Sequence, residues 1–390
     1  MKDKLLQILV WALGLYARLL RTGGQQRRVV LVSRQSAKPS LEYRMLYEEL
    51  AMRLGQDNVS YCLTTPETKG LLAFARGTLR QFSAVCHSRV VVTDGYNAAV
   101  SLPPQSSCTR VVQLWHAMGA IKKFGYQSLD TPAGRSSSFA RIGHMHENYD
   151  LIVAGGPGAI GAFAQAFGYD EEHVVALGSP RIDYLHAVRE RGLPSETRQR
   201  VHEALPCLDD GTRTLLYAPT MRKGPQTRGW IDRNLRALAM NCDPARDSIV
   251  FAGHPLDCDV AESLVEEYPC LHVARGIGTL ELLPEADIVI TDYSAIAFDA
   301  GLLGCDVCFY VPDIESYRRS PGLNVDWLEQ GIGIASTSAV DLFARIANPD
   351  DAAMAQGFQD FRDFVAGYFA GIDANGTQRI ADAICELLDE

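Results

Sequence analysis

The stretch "VVQLWHAMGAIKKFGY" (residues 111–126) decides how this chain is read. It begins as a strand with apolar residues on both faces, the pattern of a strand buried inside a parallel sheet. It then presents Trp115 and His116, a small-residue turn, and the adjacent Lys122 and Lys123. A histidine that only fills a core needs no lysines, and a plain surface loop needs no strand to aim it. In open parallel sheets, ligands bind beyond the carboxyl ends of the strands. The stretch therefore reads as a strand that delivers an imidazole to a site.

Working outward, "VVLVS" (29–33), "VSYCL" (59–63), "RVVVTD" (89–94) and "DLIVAG" (150–155) repeat the pattern, with helical stretches near 40–54 and 68–84. Such alternation predicts a parallel sheet with crossover helices. "LPCLDDGT" (205–212) interrupts it, and a second series follows: "TLLYAPT" (214–220), "SIVFAGHP" (248–255), "LHVA" (271–274), "DIVITDYS" (287–294) and "DVCFYVP" (306–312). Helices are expected near 352–368 and 374–389. The fold class is α/β, with two Rossmann-like doubly wound domains facing a cleft. The expected boundaries are 1–24 for an N-terminal helix, 25–205 and 206–370 for the two domains, and 371–390 for a final helix.

The chain has 390 residues, 47% hydrophobic and 22% charged, and a net charge of -10. That charge argues against a nucleic-acid partner, which calls for a basic face. It is unevenly spread. Residues 1–28 carry six cations against Asp3 alone, a local +5 that leaves -15 for the rest. Within them, "LLQILVWALGLYARLL" (5–20) would form a helix of ~24 Å, short of the ~30 Å hydrocarbon core. Lys4, Gln7, Gly14, Arg18 and Arg21 fall on one side, so the expectation is an amphipathic helix lying on anionic membrane lipids. The alternatives are a signal or anchor segment and a helix of the core or an oligomer interface.

The ten cysteines form no repeating frame. Cys305-x-x-Cys308 reads as structural, because Cys308 lies in an apolar strand and no second pair stands at zinc spacing. "GPGAIG" (156–161) matches a dinucleotide fingerprint formally but lies outside the first βα unit. "HMHE" (144–147) suggests a metal only weakly, since on a helix His144 and His146 would diverge by 200°. No metal and no cofactor are expected.

The residues able to do chemistry cluster at strand ends: His116, Thr220 and Arg222, His254, then Asp292, Tyr293 and Ser294. In "TDYSAIAFDAGLLG" (291–304), Ser294 reads as the N-cap of an amphipathic helix from Ala295 to Leu303. A helix start of this kind offers N–H groups to an anion. Asp299 lies further along that helix. The bland alternative is a simple cap.

"QLWHAMGAIKKFG", "GSPRID" (178–183), "YAPTMR" (217–222), "GHP" (253–255) and the long block from Ile290 to Leu323 resemble the CDP-glycerol glycerophosphotransferase family of teichoic acid synthesis. The resemblance runs from about 110 to 325, while residues 25–105 match only in general character. It implies a GT-B-type fold, CDP-glycerol or CDP-ribitol as donor, a polyprenyl-diphosphate-linked saccharide acceptor, and a peripheral enzyme on the cytoplasmic face of the cell membrane. It places catalytic histidines at His116 and His254. It carries donor contacts onto Ala117, Met118, Gly119, Ala120, Arg181, Pro219, Thr220, Ala252, Gly253, Asp292, Ser294, Ala295 and Asp299. Lys122 and Lys123 are read as drawing in an anionic acceptor. Two departures stand out: Ala117-Met118-Gly119 where many relatives read Gly-Thr-Pro, and Ala295 where many have serine. The short chain leans toward a primase or single-unit transferase. A GT-B glycosyltransferase using a UDP-sugar and a non-catalytic membrane-bound scaffold are the competing readings.

Overall fold

The computed structural model describes residues 2–65, 70–104, 108–222, 229–348 and 351–390. The chain forms two compact units. The first comprises Met1–Asp183, Ser320–Gly322 and Phe369–Glu390; the second comprises Tyr184–Arg319 and Leu323–Tyr368. The first unit is thus left after Asp183, some twenty residues before the boundary expected at 205, rejoined briefly at Ser320–Gly322 and regained at Phe369.

In the first unit the helices are α1 (Lys2–Arg21), α2 (Leu41–Leu54), α3 (Leu71–Cys86), α4 (Ala98–Ser101), α5 (Ser137–Ile142) and α6 (Ile160–Phe167). Its strands are β1 (Gln26–Ser33), β2 (Val59–Leu63), β3 (Ser88–Thr93), β4 (Arg110–Gln113), β5 (Leu151–Ala154) and β6 (Val174–Ala176). They form one parallel sheet in the order β2-β1-β3-β4-β5-β6. Helices α7 (Pro180–Arg191) and α8 (Ser195–Ala204) lead onward.

The second sheet contains β7 (Arg213–Tyr217), β8 (Asp247–Phe251), β9 (Leu271–Val273), β10 (Ile288–Thr291), β11 (Asp306–Tyr310) and β12 (Ile334–Ser336). Its order is β12-β11-β10-β7-β8-β9, again parallel throughout. Around it lie α9 (Trp230–Ala239), α10 (Pro255–Glu262), α11 (Thr279–Leu282), α12 (Ile296–Leu303), α13 (Ile314–Arg319), α14 (Ala339–Ile346) and α15 (Ala352–Tyr368); α16 (Gly376–Asp389) closes the chain.

Strand composition explains the layering. Successive side chains point to opposite faces, and Val29 to Val32 are all essentially buried. Val29 and Leu31 join a cluster with Tyr43, Leu46 and Leu50 of α2 and Ile380, Ile384 and Leu388 of α16. Helix α3 also packs against the strands, touching β1, β2 and β3. In each sheet the order reverses once, between β1 and β3 and between β7 and β10, and such switch points open a crevice at the strand ends.

Two expectations need correction. Helix α12 begins at Ile296, not Ala295, and is not amphipathic: Ala297 to Gly301 are all buried, and Gly301 has no room for a Cβ, which would meet Val365 at 2.7 Å. Helix α1 does not turn its whole polar arc outward. Ala17 is buried, Gly14 faces Leu102, and the Arg21 guanidinium donates to the Pro104 carbonyl, while α3 and α5 pack alongside. Leu5, Ile8, Leu9, Trp11, Leu15 and Leu19 are exposed instead. Among the described residues no helix is long and apolar enough to cross a membrane.

Candidate active site

At the first switch point, the end of β1 meets the turn after β3: Ser33 Oγ donates to Asp94 Oδ2 at 2.6 Å. Asp94 is nearly enclosed, and burial pushes its carboxyl up to about 6, despite the Ser33 bond. One strand over, β4 ends in a backbone that few side chains tolerate. Trp115 has φ 57°, a left-handed conformation held only where surroundings over-determine it. Here Gln113 Oε1 accepts from Trp115 N at 2.9 Å. The indole stacks on Phe124 at 4.6 Å and meets Phe167 edge-on at 5.2 Å.

This turn presents His116. Its Nδ1 lies 3.0 Å from the Asp94 carbonyl. A carbonyl only accepts, so Nδ1 carries the hydrogen and the lone pair sits on Nε2. Part of the residue reaches solvent, but the ring is packed against Trp115 at 4.2 Å. Burial lowers its pKa, the Asp94 carbonyl partly offsets this, and the Arg181 charge lowers it further. The product is a neutral imidazole with an available basic nitrogen.

Glu42, Trp115, His116, Ala117, Met118 and Ser179 line a recess of about 10 Å³, room for about one water or hydroxyl. Gly155 sets its depth: a Cβ there would stand 2.4 Å from the Met118 carbonyl, which its own N–H meets at 3.2 Å. Gly119 and Ala120 are buried behind the turn. Lys122 acts on His116 electrostatically. Lys123 is exposed, and its N–H donates to Gly322 O at 2.9 Å.

"GSPRID" becomes legible residue by residue. Gly178 takes φ 84°, Ser179 Oγ accepts from Arg181 N at 3.2 Å to start α7, and Asp183 accepts from Gly376 N and Thr377 N. Arg181 Nε donates to Glu42 Oε1 at 2.5 Å. Glu42, nearly enclosed in the first turn of α2, was not singled out by sequence.

The second switch point is also bridged. Ala218 N donates to Ile290 O and Thr220 N to Asp292 Oδ1, at 2.9 and 2.8 Å, tying the loop after β7, including Pro219, to β10. Asp292 is wholly enclosed, and its Oδ1 holds this loop. Arg222 lies 2.8 Å from Asp292 Oδ2 and forks onto Asp313 at 2.8 and 3.0 Å. Its guanidinium sits over Trp230, Tyr317 and Tyr293, at 4.0, 4.6 and 5.5 Å. Burial alone would weaken its hold on the proton, but Asp292 and Asp313 outweigh it and raise the pKa.

Beside this cage, β8 leads into Ala252-Gly253-His254, with His254 exposed. Gly253 is required because a Cβ would lie 2.1 Å from the Phe251 ring. Asp257, its carboxyl raised by burial, feels the charge of His254 and Arg222. At the start of α12, Ser294 and Ala295 are half-buried; Ser294 Oγ is 3.5 Å from Ile296 N, a weak cap, and its carbonyl accepts from Ala297 N. Asp299 is 1% exposed, inside the unit.

The remaining motifs are structural. His144 and His146 both have positive φ, in a turn rather than a helix. His146 is buried among Trp115, Phe167 and Tyr149, bonds the Tyr149 hydroxyl at 3.0 Å, and is driven by burial down to about 3. Gly156-Pro157-Gly158 leads into α6 after a single turn. Burial raises both the Cys305 and Cys308 thiols. Among the described residues there is no group of three side chains fit to hold a metal.

A pair of parallel, doubly wound sheets, each with its chemistry at the switch point, defines a GT-B-like α/β architecture. The solved wall teichoic acid polymerase TagF shares it, with a TM-score of 0.71 at 18% identity over 100% of this chain and 97% of that one. So does the UDP complex of Staphylococcus aureus MnaA, at 0.60 and 13% identity, over 93% and 97% of the chains. The chain belongs to the CDP-glycerol:poly(glycerophosphate) glycerophosphotransferase family, whose model matches residues 15–386, and is an enzyme of that class. It is 29% identical to the teichoic acid ribitol-phosphate primase of Bacillus spizizenii, over 93% of this chain and 92% of the relative. It is 22% identical to the glycerol-phosphate primase of Bacillus subtilis, over 85% and 83%.

Proposed function

We propose that the enzyme moves one alditol phosphate from a CDP-alditol to a hydroxyl of a lipid-linked saccharide, releasing CMP. The observation that carries this is His116, with Nδ1 committed to a carbonyl and Nε2 left basic. A hydroxyl is a weak nucleophile near pH 7, and a positioned base contributes ~10²–10⁴-fold. The acceptor oxygen forms a bond to the β-phosphorus, the bond from that phosphorus to the CMP oxygen breaks, and the hydroxyl proton passes to Nε2. His254 and the amides at Ser294–Ala295 hold the diphosphate, as preorganised donors do for developing charge. Arg181 adds positive charge beside His116.

Ribitol rather than glycerol is the favoured alditol, and priming the favoured mode. Support comes from the ribitol-phosphate primase, matched at 29% against 22% for the glycerol-phosphate primase. Work at a membrane surface fits the exposed leucine face of α1, so the proposed location is peripheral, on the cytoplasmic face. The test is product mass after incubation with CDP-ribitol or CDP-glycerol and a lipid-diphosphate saccharide analogue. One added ribitol phosphate is expected. Long ladders, or turnover of UDP-sugars alone, would end this reading.

A further inference from the structure

Helix α3 carries an exposed face apart from the strand-end motifs described above. Leu72 is 87% exposed and Leu79 42% exposed, and Arg76 and Arg80 stand between and beside them. α1 runs alongside, with the Tyr16 ring 6.3 Å from Phe82 of α3. Tyr16, Arg28, Leu72, Arg76, Leu79 and Arg80 line a groove of about 720 Å³ with no carboxylate in its wall. Arg28 uses only its Nε, on Ser88 Oγ. Arg76 and Arg80 have no hydrogen-bond or ion-pair partner among the described residues. Both are exposed and open toward the groove.

We propose that this groove binds the phosphate head of an anionic membrane lipid, with its chain laid along Leu72, Leu79 and Tyr16. The inference rests on the peripheral membrane reading and adds a discrete site to it. Three guanidinium groups suit a phosphate because their planar forks match its oxygens. The apolar walls suit the first methylenes below the head. The exposed leucines of α1 would enter the interface without regard to lipid charge; the α3 arginines would supply the preference for anionic lipid.

The test is co-flotation of the full chain with phosphatidylcholine vesicles and with vesicles containing phosphatidylglycerol. Arg76→Gln/Arg80→Gln should lower partitioning onto anionic vesicles ~10–30-fold, from about 1 kcal/mol per cation at the surface, and leave neutral-vesicle binding unchanged. Arg191→Gln/Arg345→Gln removes the same charge elsewhere and should change neither. Leu9→Ser/Leu15→Ser should weaken binding to both vesicle types. Circular dichroism confirms that each variant is folded. Retained anionic preference in the α3 variant, or an equal loss in the control, overturns the groove while leaving membrane association standing. A wild type that floats with neither vesicle type overturns the membrane reading itself.

Discussion

Glu42 and Arg181 place opposite charges beside one imidazole, so removing either should move the His116 titration in opposite directions. The carboxylate favours the imidazolium and the guanidinium opposes it. With an effective dielectric near 20, a unit charge several ångströms away is worth roughly 1–2 kcal/mol, or about one pH unit. A general base works when neutral, so its pKa sets the acidic limb of kcat/KM against pH. Glu42→Gln keeps an oxygen to accept from Arg181 but deletes the charge. His116 then faces an uncompensated cation, its pKa falls, and the limb should shift about one unit to lower pH. Arg181→Gln removes the cation, and the limb should shift about one unit upward even as the overall rate drops. The assay is CMP release from a CDP-alditol across pH 4.5–8.5 (about a tenth of a unit per step is needed near the inflection), on variants with wild-type circular dichroism. A purely structural Glu42 would lower activity at every pH and leave the inflection in place. Limbs that stay put in both variants, or move in the same direction, would refute the assignment of His116 as the titrating base.

Arg222→Ala should cost the second unit about 3–5 kcal/mol, the penalty for stranding buried carboxylates, read by urea unfolding; Arg222→Lys should recover little, since an ammonium cannot fork onto Asp313, and a loss below ~1 kcal/mol in the alanine variant would sink the cage. His146 stays neutral in the native state down to about pH 3 while the unfolded chain takes up a proton near 6.5, so stability is lost as pH falls. Between pH 6.5 and 5 this amounts to ~2 kcal/mol; His146→Phe should lack that part of the pH dependence, and parallel stability curves for the two proteins would contradict it.

Both sheets and the strand-end clustering were legible because buried parallel strands announce themselves as apolar runs. Even the ends of α15 follow the expected 352–368. The short β12, preceded by Gly331 and Gly333, has too brief an apolar run to stand out. The Glu42–Arg181 pair spans 139 positions, and nothing local to Glu42 distinguishes it from any acidic residue in a first helical turn. The Arg222 cage draws on loops after β7, β10 and β11 and on α9, so only the fold assembles it. The start of α12 was misplaced by one residue because Ser294 is an apt cap whose hydroxyl nonetheless sits too far away to serve as a strong one. Helical geometry does not apply to His144 and His146, whose backbone turns left-handed.

Helix α16 completes the apolar face of β1, β3 and β4 from a position nearly three hundred residues further along the chain. During synthesis the early strands emerge long before their cover does. The intervening unit, whose strands and helices all lie between Tyr184 and Tyr368, can close on itself first. Until α16 arrives, Val29, Leu31, Val90 and Val92 lack part of their packing, a sticky surface in the crowded cell. Nascent-chain maturation should therefore proceed from the middle outward, and chaperone dependence should concentrate in the opening segment rather than in the stretch made last.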